Sequence, residues 1–188
     1  MENENTNPSK GELLIADPFL DDPYFRRSVI LIAENDHSSG TIGFIMNKPL
    51  NLQLCDLVKD FPDFSVDVYY GGPVSTESLY FVHSFTPDVM SGSVQITENL
   101  FWGGSFDQLK VLIEAGKVKK EELRFFIGYS GWSPDQLEDE ISSNSWLIKE
   151  RENPILNEDV KSMWKKQLQD MEDKKKIWSN MPHDINMN

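Results

Sequence analysis

Apolar and polar positions fall in short blocks along the chain, and most of the blocks predict strands. Leu13–Ala16 is an apolar run closed by Asp17-Pro18. Asp22-Pro23 can cap and open a single helical turn through Arg26. Ser28–Ala33 is apolar throughout and rich in β-branched residues, as a strand buried on both faces would be. Glu34–Gly40 reads as a polar loop, and Thr41–Met46 returns as the second arm of a hairpin with a connection longer than two residues. Gly43 inside that arm marks a bulge or a close backbone approach. Asn47-Lys48-Pro49 ends it. Leu54, Leu57, Val58 and Phe61 then carry helical spacing, and Val66–Tyr70 reads as a strand broken by Gly71-Gly72-Pro73-Val74. Leu79–His83 and, more weakly, Ser93–Ile96 are further strands. Ser105 is placed to cap a helix containing Phe106, Leu109, Val111, Leu112 and Ile113, with Gly116 as its stop.

The densest signal is Phe125–Ile141. It reads as a buried strand, a turn at Gly128-Tyr129-Ser130-Gly131-Trp132, and a helix. Ser133 fits the N-cap, Pro134 the first helical position and Gln136 the third, completing a capping box. Leu137 and Ile141 lie one turn apart and face inward, leaving Asp135, Glu138, Asp139 and Glu140 in water. Ser145–Ile148 is a last strand. Beyond Asn153-Pro154, the residues Val160, Met163, Trp164, Leu168 and Met171 form one stripe of an amphipathic helix, expected to dock on the parent domain, the alternative being a separate partner.

Strands and helices mix without regular βαβ alternation, which makes the class α+β. A length of 188 residues suits one domain. The expected layout is a disordered lead-in over 1–10, a domain over 11–152, and a docked helix and tail over 153–188.

Charge narrows the function. The net charge is -13, carried almost wholly by the part up to Lys149. A phosphate backbone would repel such a body, so direct nucleic-acid binding is not expected. The basic spots at Arg26-Arg27 and at Lys117, Lys119 and Lys120 are small. No apolar run is long enough to span a membrane, and the polar N-terminus has no signal-peptide core. A lone cysteine, Cys55, favours a reducing compartment and hence the cytoplasm.

Candidate chemistry is sparse. Gly128-Tyr129-Ser130-Gly131 invites a nucleophile elbow, but the second glycine of G-x-S-x-G is replaced by Trp132. An anion site at the Ser133 cap is not expected, because Pro134 has no N–H, the capping box uses two donors, and the one left has the Asp135 carboxylate beside it. His37, His83 and His183 are scattered, so no metal site is expected. Neither GxxxxGK[ST] nor GxGxxG occurs, and no cofactor is expected. His83 ends an apolar strand and is a conceivable general base. Lys48 is the most isolated base, able to hold an anion or, preferably, to pair with an acid.

Several ordered blocks together resemble the AlgH/YqgE family of small bacterial proteins. They are Leu13-Leu14-Ile15-Ala16-Asp17-Pro18, Asp22–Val29, Gly40-Thr41-Ile42-Gly43, Asn47-Lys48-Pro49, Tyr70–Val74, Gly128–Trp132, Gln136-Leu137-Glu138, Glu140-Ile141 and Trp146-Leu147. The resemblance implies a branched, mostly antiparallel β-sheet surrounded by helices. It brings a transcriptional-regulator label but no catalytic residues to carry over. The tail departs from it, ending in Trp178–His183 where the family's small, glycine-containing ending is expected. The leading expectation is a binding or regulatory protein with a protein or small-molecule partner, its site lined by Asn47, Lys48, Gly72, Pro73, Tyr129, Trp132 and Gln136 if the turns that carry them converge. The alternative is a hydrolase or transferase using Tyr129, Ser130 or His83 with Lys48.

Overall fold

The structure, a computed structural model, describes residues 7–151 and 155–170. In chain order the strands are β1 (Leu13–Ala16), β2 (Val29–Asp36), β3 (Gly40–Ile45), β4 (Pro49–Gln53), β5 (Asp67–Tyr70), β6 (Val74–His83), β7 (Ser93–Thr97), β8 (Leu100–Gly103), β9 (Leu123–Trp132) and β10 (Trp146–Lys149). The helices are α1 (Leu54–Leu57), α2 (Phe106–Glu114), α3 (Gln136–Ser142) and α4 (Met163–Gln169).

All ten strands form one sheet in the order β10-β1-β2-β3-β9-β6-β8-β7, and β9 is where it branches. The last residues of β9 pair with β3, while its first half lies between β6, antiparallel, and β5, the parallel neighbour that carries β4 on its far edge. The expected α+β fold with a branched, mostly antiparallel sheet is what the chain adopts.

Alternation along the strands divides the apolar residues among three clusters. Leu13, Ile15, Leu31, Phe44 and Phe126 face one way, where Met163, Trp164 and Leu168 of α4 pack on them and the Trp164 indole donates to the Ala16 carbonyl at 2.9 Å. Leu14, Ile30, Ile32 and Ile45 face the other way, toward Trp132, Leu137 and Trp146. The third cluster gathers Leu54, Phe81, Leu109 and Phe125 beneath α2. Arg124 is nearly fully buried, donating to the carbonyls of Met46 and Leu156 with its guanidinium 4.6 Å from the Tyr69 ring centre.

Several local expectations are corrected. Gly128–Trp132 is strand, not turn. Gly131 and Trp132 pair with Ile42 and Thr41, and the glycines serve close strand crossing instead of reversal. A Cβ on Gly72 would stand 2.3 Å from the Tyr129 carbonyl, and one on Gly128, where φ is +67°, 2.5 Å from the Gly72 oxygen. Only a residue without a side chain fits at this crossing. Because β9 runs on, α3 starts late: Asp135, at φ 68°, is its N-cap and Gln136 its first residue. Half of the expected box survives, with the Gln136 side chain accepting from the Ser133 backbone at 3.0 Å.

Glu34–Asp36 extends β2, leaving only His37–Ser39 as the hairpin connection. The helix expected from Leu54 stops at Leu57, since Val58 is extended and Asp60 is left-handed; Phe61 instead packs against Phe106. Pro49 opens β4 rather than merely ending β3. Met171 and the Trp178–His183 ending lie outside the described residues, as do residues 1–6 of the lead-in. Asn7 and Pro8 are held by the Asn35 amide at 2.6 Å each.

Candidate functional site

The twelve-residue connection between β1 and β2, Asp17–Ser28, is held in place by hydrogen bonds. Asp17 Oδ1 accepts from the Phe19 amide at 2.8 Å, and Asp22 Oδ1 accepts from the amides of Tyr24 and Phe25 at 2.8 and 2.9 Å. The turn so capped closes through the Arg26 amide to the Asp22 carbonyl, as Asp-Pro predicted. Ser28 then donates to the Phe25 carbonyl at 2.6 Å. Arg27 sits at a left-handed φ of 54°, with its guanidinium 5.2 Å from the Trp164 ring centre.

Asn47 and Lys48 hold this loop from below. Asn47 Oδ1 accepts from the Val29 amide and its Nδ2 donates to the Arg27 carbonyl, both at 2.9 Å. The Lys48 ammonium donates to the Tyr24 carbonyl at 2.5 Å. Its partner is therefore a carbonyl, not the acid expected of it. Burial first, then the positive Arg26, lowers the Lys48 pKa, and Asp22 pulls the other way. Beside Lys48, the end of β5 delivers Tyr70, whose amide bonds to the Lys48 carbonyl and whose ring stacks on Tyr24 at 6.3 Å. Burial, then Tyr24 and Asp22, raises the Tyr70 phenol. Gly71-Gly72-Pro73 follows directly, tied down by the Gly71 carbonyl, which accepts from the Ile45 amide and the Ser130 hydroxyl at 3.0 Å each.

Asn47, Lys48, Gly72 and Pro73 are thus brought together, joined by Tyr24 and Tyr70. Tyr129 meets them only through its backbone beside Gly72. Its ring lies on the opposite face of the sheet, edge-on to Tyr80. Trp132 and Gln136 belong to a separate group around Glu140. That carboxylate accepts from the indoles of Trp132 and Trp146 at 2.9 and 2.7 Å, and from the Gln136 amide at 3.0 Å. The expectation that Glu140 stays in water is wrong: two tryptophans from different strands converge on it.

The residues of the enzymatic alternative are each engaged elsewhere. Ser130 is buried and bonded to Gly71. His83 is enclosed by Phe81, Phe85 and Phe101. Its Nδ1 accepts from the Phe85 amide at 3.1 Å, so the ring proton sits on Nε2 and is shared with the Gly103 carbonyl at 3.0 Å. Ser93 Oγ lies 3.2 Å from that same Nε2, which has no lone pair to take its proton. Burial holds the His83 pKa down to about 4. Among the described residues no three His, Cys, Asp or Glu side chains gather as metal ligands, and no helix is long and apolar enough to cross a membrane.

Tyr24 and Tyr70 were missed at the sequence level. The signal for Tyr24 was present in Asp22-Pro23, which predicts a capped turn and so a projecting residue two positions on. Nothing local announced that Tyr70 would stack on it.

The fold defines a single α+β unit on a branched sheet. The family model for AlgH-like proteins matches residues 13–176, and the chain belongs to that family. It is 39% identical over 190 residues to a UPF0301 protein of Bacteroides fragilis, covering 100% of this chain and 95% of that protein. A UPF0301 protein of Cytophaga hutchinsonii is 38% identical over 181 residues, covering 96% and 99%. Among solved structures, AlgH from Pseudomonas aeruginosa is similar with a TM-score of 0.64 and 32% identity over 78% of this chain and 79% of that one. A Corynebacterium diphtheriae protein shares the fold, with a TM-score of 0.72 at 20% identity over 93% of both chains.

Proposed function

We propose that this protein acts by binding. It holds a protein or small-molecule partner at the face formed by Tyr24, Tyr70, Lys48 and the Gly72-Pro73 corner, and serves a regulatory role in the cytoplasm without touching DNA. The observation that carries this reading is Tyr24. Its side chain is 53% exposed, while the backbone beneath it is fixed by Asp22 and Lys48. An aromatic side chain on an ordered support loses little entropy on docking, which suits it to anchor a partner. Phe19, 59% exposed, extends the same connection. The net charge of -13 argues against a phosphate backbone as partner, and the exposed thiol of Cys55 suits a reducing compartment.

The test is native co-purification read by mass spectrometry for proteins and small molecules, on the natural chain and on Tyr24→Ala. A species retained by the natural chain and lost from the variant is the expected result. Retention unchanged by Tyr24→Ala would remove this face from the reading. Duplex DNA is expected to give no mobility shift even at low salt.

A further inference from the structure

Tyr70 turns toward Tyr24, and Tyr69, its neighbour on β5, points to the opposite face of the sheet. β5 and β9 run parallel there, Val68 beside Phe125 and Tyr69 beside Phe126, so both strands enter the sheet at the same end. The single turns Lys120–Glu122 and Ile155–Asn157 meet at that end. Together with residues 65–69 they border a pocket of about 560 Å³, large enough for a small molecule. Arg124 lines it. This side chain is 7% exposed, and its guanidinium donates to the Met46 carbonyl at 2.6 Å and the Leu156 carbonyl at 2.9 Å. Among the described residues no carboxylate forms an ion pair with it. Burial lowers its pKa, with Tyr69 and Glu158 acting the other way. A cation taken out of water normally has an anion against it, because carbonyl dipoles return only part of the lost hydration. The two carbonyls also leave other N–H groups of the guanidinium uncommitted.

The hydroxyl of Tyr69 and the ammonium of Lys120 line the same pocket and have no hydrogen-bond partner among the described residues. The acids around it are differently placed. Asp67 accepts from the Gln53 amide, Glu158 from the Gln167 amide at 2.9 Å, and Asp159 from the Ser162 hydroxyl at 2.7 Å. These bonds hold negative charge around the space. With Glu121 they make four carboxylates against two cations, so the lining as a whole favours positive charge while Arg124 calls for negative. A simple anion answers only the second demand, and an amine only the first. We propose that this pocket binds a small zwitterion of the amino-acid class, its carboxylate on Arg124 and the Tyr69 hydroxyl, its ammonium toward Asp67, Glu158 and Asp159. Val66, Leu123 and Leu156 supply the remaining wall, which suits an apolar side chain on that ligand. This inference is independent of the Tyr24 face and survives its failure.

The test is calorimetric titration of the full chain with L-phenylalanine, with hydrocinnamate, which keeps only its carboxylate, and with phenethylamine, which keeps only its ammonium. L-Phenylalanine is expected to bind about tenfold or more tighter than either analogue. Arg124→Lys is expected to abolish binding, but it also disturbs the contacts to Met46 and Leu156 and so does not stand alone. Tyr69→Phe keeps the ring against Arg124 and removes only the hydroxyl, and Asp67→Asn changes one exposed charge. They are expected to weaken L-phenylalanine by about tenfold and about threefold, with unchanged thermal midpoints showing that the fold is kept. No binding at millimolar L-phenylalanine would overturn the proposal. So would an analogue that binds as tightly, or an affinity unaltered in either variant.

Discussion

Trp132 and Tyr24 both belong to the blocks that carry the family resemblance, and the structure uses them in opposite ways. Trp132 is 4% exposed, packs against Phe25 and Trp146, and gives its one polar group to Glu140. Tyr24 is exposed, and the polar groups around it are spent on the backbone that carries it. An aromatic ring whose surroundings satisfy its own donor is part of the scaffold; one whose surroundings fix its backbone and leave half of it exposed is positioned for something else. Burial by itself would separate the two residues, but the hydrogen bonds explain why each is where it is.

The comparison is broken or sharpened by substitution. Glu140→Ala strands two indole donors and is expected to cost about 4 kcal/mol in denaturant unfolding, since hydrogen bonds to a charged group are worth roughly 1.5–3 kcal/mol each. It should leave partner retention per folded molecule unchanged; loss of retention would merge the two regions into one site.

Acid acts next. The folded-state pKa of His83, about 4, lies below the ordinary value of 6.5, so the unfolded chain binds its proton first. Stability associated with His83 is therefore complete above about pH 6.5 and declines as the pH falls toward 4, by about 3 kcal/mol in all at ~1.36 kcal/mol per pH unit. The difference between pH profiles of the natural chain and His83→Asn isolates it from the carboxylates. Equal slopes between pH 4 and 6.5 would refute the neutral, enclosed imidazole.

Asn47→Ala removes the partner of the fully buried Val29 amide and should cost about 2 kcal/mol. It should also weaken retention by loosening the loop. Asn47→Asp keeps the acceptor and should recover part of the stability. The smallest stability effect is expected from Tyr24→Ala, within about 0.5 kcal/mol as for other surface positions. Its effect on partner affinity should be tenfold or more, the size of an anchoring aromatic. A large stability loss with unaltered affinity would make Tyr24 another Trp132.

Much of this architecture was legible in the chain. Runs such as Ser28–Ala33 and Phe125–Ile127 have the composition of interior strands, and Ser105 and Gly116 bracket α2 as their side chains predict, the Ser105 hydroxyl accepting from the Gln108 amide at 3.3 Å. What could not be read was the use made of the glycines. Gly128 and Gly131 read equally well as a turn or as a place where strands cross closely, because the absence of a side chain serves both. Glu140 illustrates the same limit: eight residues from Trp132 and six from Trp146, it reads locally as one more solvated acid on a helix.

Local sequence therefore determined the kinds of element, the apolar faces and the capped loop at Asp22, since these depend on backbone preference and on neighbours a few residues away. Only the tertiary structure decided that β9 continues through its glycines, that Tyr70 stacks on Tyr24, and that one carboxylate serves two indoles. Each of those needs groups carried by separate elements to meet at a few ångströms, and that meeting is set by how the sheet branches and packs.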